Sequence, residues 1–452
     1  MKNNMTNDMT NGNPVKLILL FSIPLLIGNI FQQFYNMVDT IIVGRFVGVD
    51  ALAAVGATSS MVFLVNGFAT GLSSGFAVLV SQRFGAKDEK GLRKAVASAI
   101  TLTIISVVII TIVSLLGAMP LLKLMNTPKN IINDAYLYIK IIYAGVIATV
   151  AYNLIASILR ALGDSKTPLY FLIISSVLNV ILDLVFIINF NMGVAGAAYA
   201  TIISQAVSAI LCLIYTYKKF TILRLKREDF NVKKRYYHKH LKIGIPMALQ
   251  FSITAIGIMT VQGALNVFGS TIIAAYTAAS KALQLVMQPA ITFGVTMATY
   301  CGQNLGAKEY NRIKEGVKAC TKISIITSII AGAVLIFLGK YFVMMFISNP
   351  DVEILKYAQQ VLDISAIFFI PLGLIFIYRN ALQGIGDSFV PMMAGAYELI
   401  ARAIVAFTLP QYIGFFGICL ADPVAWLAAS IPLGITYFKR IKHLLKHGTI
   451  KV

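Results

Sequence analysis

The sequence predicts an all-α integral membrane protein with twelve transmembrane helices in two six-helix lobes. Of its 452 residues, 58% are hydrophobic and only 12% are charged, whereas a soluble domain carries about 25% charged residues. Apolar runs of the roughly 20 residues that span a bilayer as a helix recur along the whole chain. The second half of the chain also repeats the motifs of the first.

The predicted spans follow from these apolar runs. In the first half they cover 15–38, 52–81, 94–117, 134–160, 168–190 and 194–217. In the second half they cover 241–267, 273–302, 316–345, 354–383, 391–412 and 415–438. No cleavage site follows the first run, so we expect no cleaved signal peptide. The spans lack the alternation of an outer-membrane barrel.

The net charge of +20 is explained by membrane topology better than by nucleic-acid binding. Basic residues lie in alternate connectors, while connectors such as 189–193 and 268–272 carry almost no charge. Because cytoplasmic loops are rich in lysine and arginine, we expect a multi-pass protein of the cytoplasmic (inner) membrane with both termini cytoplasmic. The basic groups are Arg83, Lys87, Lys90, Arg93 and Lys94; Arg160 and Lys166; Lys308, Arg312, Lys314 and Lys318; and Lys439, Arg440, Lys442 and Lys446.

The longest polar stretch, from Lys218 to Lys242, divides the chain. Two interpretations of its basic residues are open: contact with a lipid surface, or a solvated linker whose charge sets the topology. The second is favoured. Because His238 and His240 fall in this stretch, we expect no histidine inside a span. The predicted domains are an N-lobe at 1–217, a cytoplasmic linker at 218–240 and a C-lobe at 241–452.

Short motifs recur between the halves at an offset of 221–223 residues. Six spans per repeat is an even number, so both halves enter the membrane from the same side, as parallel repeats. This arrangement predicts a cavity between two lobes and transport by alternating access. The matched motifs are Gln82-Arg83-Phe84-Gly85-Ala86-Lys87 with Gln303-Asn304-Leu305-Gly306-Ala307-Lys308, and Gly163-Asp164-Ser165 with Gly386-Asp387-Ser388.

Acidic residues inside the first-half spans are the leading candidates for ion coupling, because charge in hydrocarbon is costly and is usually functional. Asp39 ends span 1, and Asp183 lies in span 5 four residues after Asn179, on the same helical face. Thr201 lies near the start of the next span. A desolvated cluster of this kind favours a neutral, protonated carboxyl. The alternatives are an interfacial position for Asp39 and a structural hydrogen bond for Asp183.

The second half differs. Glu398 and Arg402 are four residues apart in span 11 and are expected to pair; a coupling role is the alternative. Lys281 in span 8 is expected either to face the cavity or to extend its ammonium group to the membrane interface. Asp363 and Asp422 rank below the first-half cluster.

Prolines and methionines suggest moving and adaptable parts of the cavity. Pro24 is expected to kink span 1 and is our candidate hinge; a static kink is the alternative. Flexible methionines suit cavities that accept varied ligands, although core or lipid-facing packing is the more common role of any one of them. The candidates are Met37, Met61, Met259, Met287 and Met297.

Taken together, these motifs resemble the MATE (multidrug and toxic compound extrusion) family over nearly the whole chain. The features that carry the resemblance are the paired six-span repeats, Val38-Asp39-Thr40 with Gly44, both Gln-x-x-Gly-Ala turns, Arg160-Ala161-Leu162-Gly163-Asp164, and Asn179 with Asp183. The resemblance implies a V-shaped pair of lobes that exports amphipathic, often cationic compounds in exchange for H+ or Na+.

The resemblance also assigns residues. In the prokaryotic proton-coupled members, it implies a coupling cluster at Asp39, Asn179, Asp183 and Thr201, a bend at Pro24, and polar cavity positions at Gln32, Tyr35 and Asn153. The sodium-coupled branch carries acids in spans 7 and 10. This chain has Ser252-Ile253-Thr254 and Phe369-Ile370-Pro371 in those regions, so proton coupling is favoured over a C-lobe sodium site. Sodium at the N-lobe carboxylates remains open.

The leading hypothesis is therefore an antiporter that exports cationic drugs, with a flippase of lipid-linked precursors as the alternative. A receptor or scaffold would need a soluble domain that the short connectors do not supply. Enzyme motifs such as HExxH, GxSxG and a Walker A loop are absent from the sequence. We expect no cofactor beyond the coupling ion, no metal site, no nucleic-acid partner, contact with membrane lipids, and a monomer. The scattered Cys212, Cys301, Cys320 and Cys419 indicate neither a metal site nor a disulfide.

Overall fold

The first half of the chain folds into seven helices. The computed structural model describes residues 8–347 and 351–448, and all regular structure within these ranges is helical. A π-helical segment, Val185–Asn189, continues the sixth helix. The helices are α1 Pro14–Phe46, α2 Val49–Gly85, α3 Glu89–Leu124, α4 Ile132–Ala144, α5 Val146–Ala161, α6 Lys166–Leu184 and α7 Gly193–Lys219.

The second half has the same succession of helices, with more breaks. Each helical span begins 220–223 residues after its counterpart in the first half, with the last span starting at Phe415, so the repeat predicted from sequence motifs is also present in the structure. The helices are α8 Lys234–Leu265, α9 Ser270–Val286, α10 Gln288–Gly306, α11 Tyr310–Met344, α12 Val352–Ile367, α13 Phe369–Gly384, α14 Phe389–Thr408, α15 Pro410–Ile413, α16 Phe415–Cys419 and α17 Ala421–His447.

These helices form twelve spans. Within the described ranges, nine helical segments are long and apolar enough to cross a membrane, and two more spans are helix pairs. The pairs are α4 with α5, bent by 46°, and α12 with α13, bent by 54°. The twelfth span is α9 with α10, which together run from Ser270 to Gly306 and match the 37-residue α2 at the repeat offset.

The described residues divide into two compact units. Unit 1 contains Ile23–Ser252, and unit 2 contains Met9–Ser22 together with the chain from Ile253 onward. The chain therefore passes from one unit to the other inside α1 and again inside α8. Lobe limits at 1–217 and 241–452, with a linker at 218–240, stay a prediction.

His240 corrects the sequence analysis. Because α8 begins at Lys234, His240 lies in its second turn, and its side chain is 0% exposed. Its ring packs edge-on against Phe76, with 5.6 Å between the ring centroids. The expectation that no histidine lies within a spanning helix is wrong. Lysine and arginine are good helix formers, so the basic stretch extends this helix instead of ending it.

The repeated Gly-Asp motif has a structural role. Gly163 and Gly386 adopt φ values of 84° and 95°, in the left-handed region that glycine enters without steric penalty. The next residue, Asp164, accepts hydrogen bonds from the backbone N–H groups of Lys166 and Thr167, both at 3.0 Å. The motif therefore ends one helix and caps the start of the next.

Helix α2 and the part of α8 that belongs to unit 1 approach each other backbone to backbone. A Cβ atom added at Gly71 would lie 2.7 Å from Ala248 Cα, and one added at Gly75 would lie 2.5 Å from Gly244 Cα. Glycines spaced four residues apart allow this approach between membrane helices. The spacing is visible in the sequence, but only the packed structure shows which helix it contacts.

We expect the substitution Gly71→Val to destabilise the protein by about 2 kcal/mol or more, as overpacking of a close helix contact does. The check is the temperature at which the detergent-solubilised protein loses its monodisperse chromatographic peak. Gly56→Val is the matched control, because it makes the same change in α2 where an added Cβ meets nothing within 4 Å. Equal melting temperatures for the two variants would contradict this packing argument.

Candidate functional site

The acidic cluster of unit 1 is built from α1, α6 and α7. Helix α1 continues to Phe46, so Asp39 lies about two turns before the helix end and not at the end of a span that stops at residue 38. Asp183 is the penultimate residue of α6, and Asn179 lies one turn before it. The side chains of Asn179 and Asp183 are both 0% exposed.

The amide of Asn179 links α6 to α7. With its NH2 group turned towards Asp183, Asn179 donates to Asp183 Oδ2 at 3.0 Å. In the same orientation, its carbonyl oxygen accepts from the backbone N–H of Thr201 at 3.1 Å. The assignment of amide orientation rests on this hydrogen-bond pattern. Asn179, Asp183 and Thr201, which the sequence analysis grouped together, are therefore neighbours.

Asp39 completes the cluster across the helix interface. Its side chain and that of Asp183 are within hydrogen-bonding reach of each other. The Oδ1 atoms of both residues are buried without a hydrogen-bond donor among the described residues. An ionised carboxylate can only accept hydrogen bonds, so two facing carboxyls attract each other only when one of them holds a proton. The pair can therefore take up and release a proton.

Two tyrosines border the carboxyl pair. Tyr35, one turn before Asp39 on α1, reaches the Thr201 side chain. Tyr138 on α4 lies close to both carboxyls and is 8% exposed. Tyr138 was not predicted, because nothing in the sequence distinguishes it from Tyr136 in the same apolar run.

The backbone beside Asp183 is also unusual. The π-helical segment Val185–Asn189 follows α6 directly. Such segments are rare and often occur at functional sites. No sequence signal predicted this change of helix type.

The other predicted cavity residues of unit 1 are in different surroundings. Gln32 is exposed and Met37 is half-buried on α1. Met61 is 3% exposed and packs in the apolar core. Asn153 on α5 donates to the Thr70 hydroxyl at 3.2 Å. Exposure alone does not assign a cavity role to any of them, and these roles stay predictions.

The remaining predicted positions are a buried proline inside a helix, a methionine at a helix break and an exposed lysine. Pro24 is buried inside α1, directly after the point where the chain enters unit 1. Met287 occupies the break between α9 and α10 and is half-buried. Lys281 is exposed on α9. The hinge role of Pro24 stays a prediction.

Unit 2 contains a buried network of charges. Glu398 accepts from Arg379 and from Arg402, both at 2.9 Å. Arg402 also donates to Asp422 at 2.7 Å, and the Tyr276 hydroxyl donates to the same carboxylate at 3.2 Å. The ion pair expected between Glu398 and Arg402 is therefore present, but as part of a larger network.

This network has no net charge, because it contains two arginines and two carboxylates. The side chains of Arg379, Glu398 and Arg402 are 5–10% exposed. A buried charge is tolerated when it is paired and hydrogen-bonded. Arg379 was missed by the sequence analysis, although an arginine inside an apolar span is by itself a signal of a buried partner.

The described residues contain no group of three or more His, Cys, Asp or Glu side chains placed to hold a metal ion. The four cysteines are buried and unpaired with each other.

The family model called MatE matches residues 24–185 and 243–408, which cover most of both repeats. This chain belongs to the MatE family. Among curated relatives, it is 32% identical over 384 residues to the "Probable multidrug resistance protein YpnP" of Bacillus subtilis, covering 84% of each chain. It is 25% identical over 410 residues to the "Probable multidrug resistance protein NorM" of Thermotoga maritima, covering 88% of this chain and 86% of the relative.

The fold agrees with solved structures of the family. The chain superposes with a TM-score of 0.92 on an outward-facing multidrug resistance MATE family transporter of the MOP superfamily, at 24% identity, over 98% of this chain and 99% of the other. The predicted twelve-helix, two-lobe MATE fold is thereby confirmed. As a member of the MatE family, the chain is a multi-pass membrane transporter and not an enzyme.

Proposed function

We propose that this protein is a multidrug efflux antiporter that exports amphipathic, cationic small molecules in exchange for protons. The names of the two relatives support drug efflux. The observation that carries proton exchange is the facing pair Asp39–Asp183, whose Oδ1 atoms are buried and have no donor among the described residues. A carboxyl pair that holds a proton in one state and loses it in another couples proton flow to a conformational change.

Protons are preferred over sodium because of the charges in unit 2. Both carboxylates of its network are engaged by arginines, so they are poor ligands for a cation. Asp363 accepts from the Gln359 amide at 2.7 Å. Asp39 and Asp183 face each other and have no ion pair with a lysine or arginine among the described residues, which leaves them available for the coupling ion. No cofactor is required.

The same proposal includes an orientation. The lysine- and arginine-rich connectors and tail support a topology with both termini in the cytoplasm, for a protein that acts as a monomer in the cytoplasmic (inner) membrane. Substrate then enters from the cytoplasm or the inner leaflet, and protonation at Asp39 and Asp183 drives its release outside.

The deciding experiment uses everted vesicles that contain the full-length protein and a fluorescent cationic dye. We expect an imposed pH gradient to drive dye movement and an imposed sodium gradient at constant pH to drive none. Movement that needs sodium would contradict proton coupling and assign a cation to the cluster of unit 1. Absence of movement under both gradients would contradict drug efflux and favour the lipid-precursor flippase.

A further inference from the structure

Unit 1 contains a basic pocket that the transport proposal does not use. Its volume is about 350 Å³, and it is lined by Arg83, Lys233, Arg235, Tyr236 and Lys239. The lining carries four positive charges and no carboxylate. Asp88 pairs with Arg83 at 2.8 Å and offsets one of these charges. The other three cations, Lys233, Arg235 and Lys239, have no ion pair within the part of the chain that the structure describes. We call this feature the basic pocket.

The cations converge from two helices. Arg83 lies in the last turn of α2, Lys233 directly precedes α8, and the other three residues lie in the first two turns of α8. The Arg83 guanidinium lies over the Tyr236 ring, 5.8 Å from its centroid. Arg83 and Arg235 are both close enough to Lys239 to repel it. Like charges gathered at one place are unfavourable unless an anion lies between them, and a helix N-terminus adds N–H donors and a favourable dipole for that anion.

The repeat provides an internal comparison. In unit 2, the turn after α10 is covered by the chain itself: Gln303 accepts from the backbone N–H of Met9 at 2.9 Å, and Asn304 donates to the Met9 carbonyl at 3.2 Å. Met9 is 0% exposed. Arg83 is the counterpart of Asn304, 221 residues earlier. Arg312 also takes part, donating to Asn304 Oδ1 at 3.2 Å and to the Met9 carbonyl at 3.3 Å. One arginine is therefore enough at the turn of unit 2, whereas four cations gather at the corresponding place in unit 1.

We propose that the basic pocket binds the phosphate group of an anionic ligand, either a phospholipid headgroup or free phosphate. Arginine and lysine are the residues that bind phosphate most strongly, and 350 Å³ accommodates a headgroup. A position at the ends of two membrane-spanning helices, on the side that carries the basic connectors, favours an anionic lipid as the source. This inference does not depend on the identity of the transported compound or of the coupling ion.

The test compares two double variants of the full-length protein that remove the same charge. K233Q/K239Q alters the basic pocket, and K314Q/K318Q alters exposed lysines on α11 of unit 2. Delipidated protein in detergent is titrated with inorganic phosphate at constant ionic strength, with phosphatidylglycerol and with phosphatidylcholine. Native mass spectrometry measures the number of bound lipid molecules. Thermal unfolding is followed with a thiol-reactive dye, which reacts when the four buried cysteines become exposed.

We expect phosphatidylglycerol, and not phosphatidylcholine, to bind the wild type and K314Q/K318Q. The affinity of K233Q/K239Q is expected to be roughly tenfold weaker or more, because each lysine near an anionic lipid contributes about a factor of five. Saturable stabilisation by inorganic phosphate would also support the basic pocket and identify free phosphate as a ligand. Equal binding of phosphatidylglycerol by the two double variants would overturn the proposal. It would also be overturned if the wild type bound both lipids equally and inorganic phosphate did not stabilise it. If K233Q/K239Q does not fold, the single variant Arg235→Gln at the exposed rim replaces it.

Discussion

The Asp183→Asn variant is expected to lose ion-driven efflux while keeping its fold. Asparagine has the shape of aspartate and retains an acceptor for the Asn179 amide, which contacts Asp183 Oδ2 at 3.0 Å. It cannot take up a proton, so the exchange proposed at the pair with Asp39 has no carrier. We expect gradient-driven dye efflux to fall about tenfold or more, as for loss of an essential ionisable group in a membrane span.

Everted vesicles with matched amounts of protein give this measurement, and thermal stability in detergent monitors the fold. Asp39→Asn is expected to give the same loss. Asp134→Asn is the control, since it makes the same change at an exposed position of α4 in the same unit. Full pH-driven efflux by both Asp183→Asn and Asp39→Asn would exclude the proton mechanism proposed for this site.

The largest effect on stability is expected from Glu398→Gln. This change leaves Arg379 and Arg402, 8% and 5% exposed, with one fewer negative charge between them. Breaking a buried ion pair by removing one partner costs about 3–5 kcal/mol, because a buried charge is left uncompensated. We therefore expect the melting temperature of the detergent-solubilised protein to drop well below that of the wild type.

A second variant separates charge balance from simple loss of contact. The double variant R379Q/E398Q restores a neutral network, with Arg402 still paired to Asp422 at 2.7 Å. We expect it to be more stable than Glu398→Gln alone, although it lacks one more charged group. Glu353→Gln, at an exposed acid of α12, controls for loss of a carboxylate. The network would have no role in stability if Glu398→Gln melted at the same temperature as Glu353→Gln.

Pairs of residues that share one face of a helix could be predicted from the sequence. Asn179 with Asp183, and Glu398 with Arg402, are each four residues apart, and helical geometry alone places each pair on one face. The apolar runs and the repeat offset predict twelve spans and their order for a similar reason. A bilayer requires every spanning segment to satisfy its own backbone hydrogen bonds, so length and composition are sufficient to identify a helix.

Contacts between residues on different helices could not be predicted from the sequence and are seen only in the tertiary structure. Asp39 and Asp183 are 144 positions apart, and only the packing of α1 against α6 shows that they face each other. The same holds for Tyr138 beside them, and for Arg379 and Tyr276 in the charge network. Contacts between helices depend on side-chain shape at crossings such as Gly71 with Ala248, and hydropathy does not encode this shape. Local composition and periodicity are thus sufficient to identify the spanning segments and the residues that can carry charge, whereas the packing of the helices sets which of those charges come into contact.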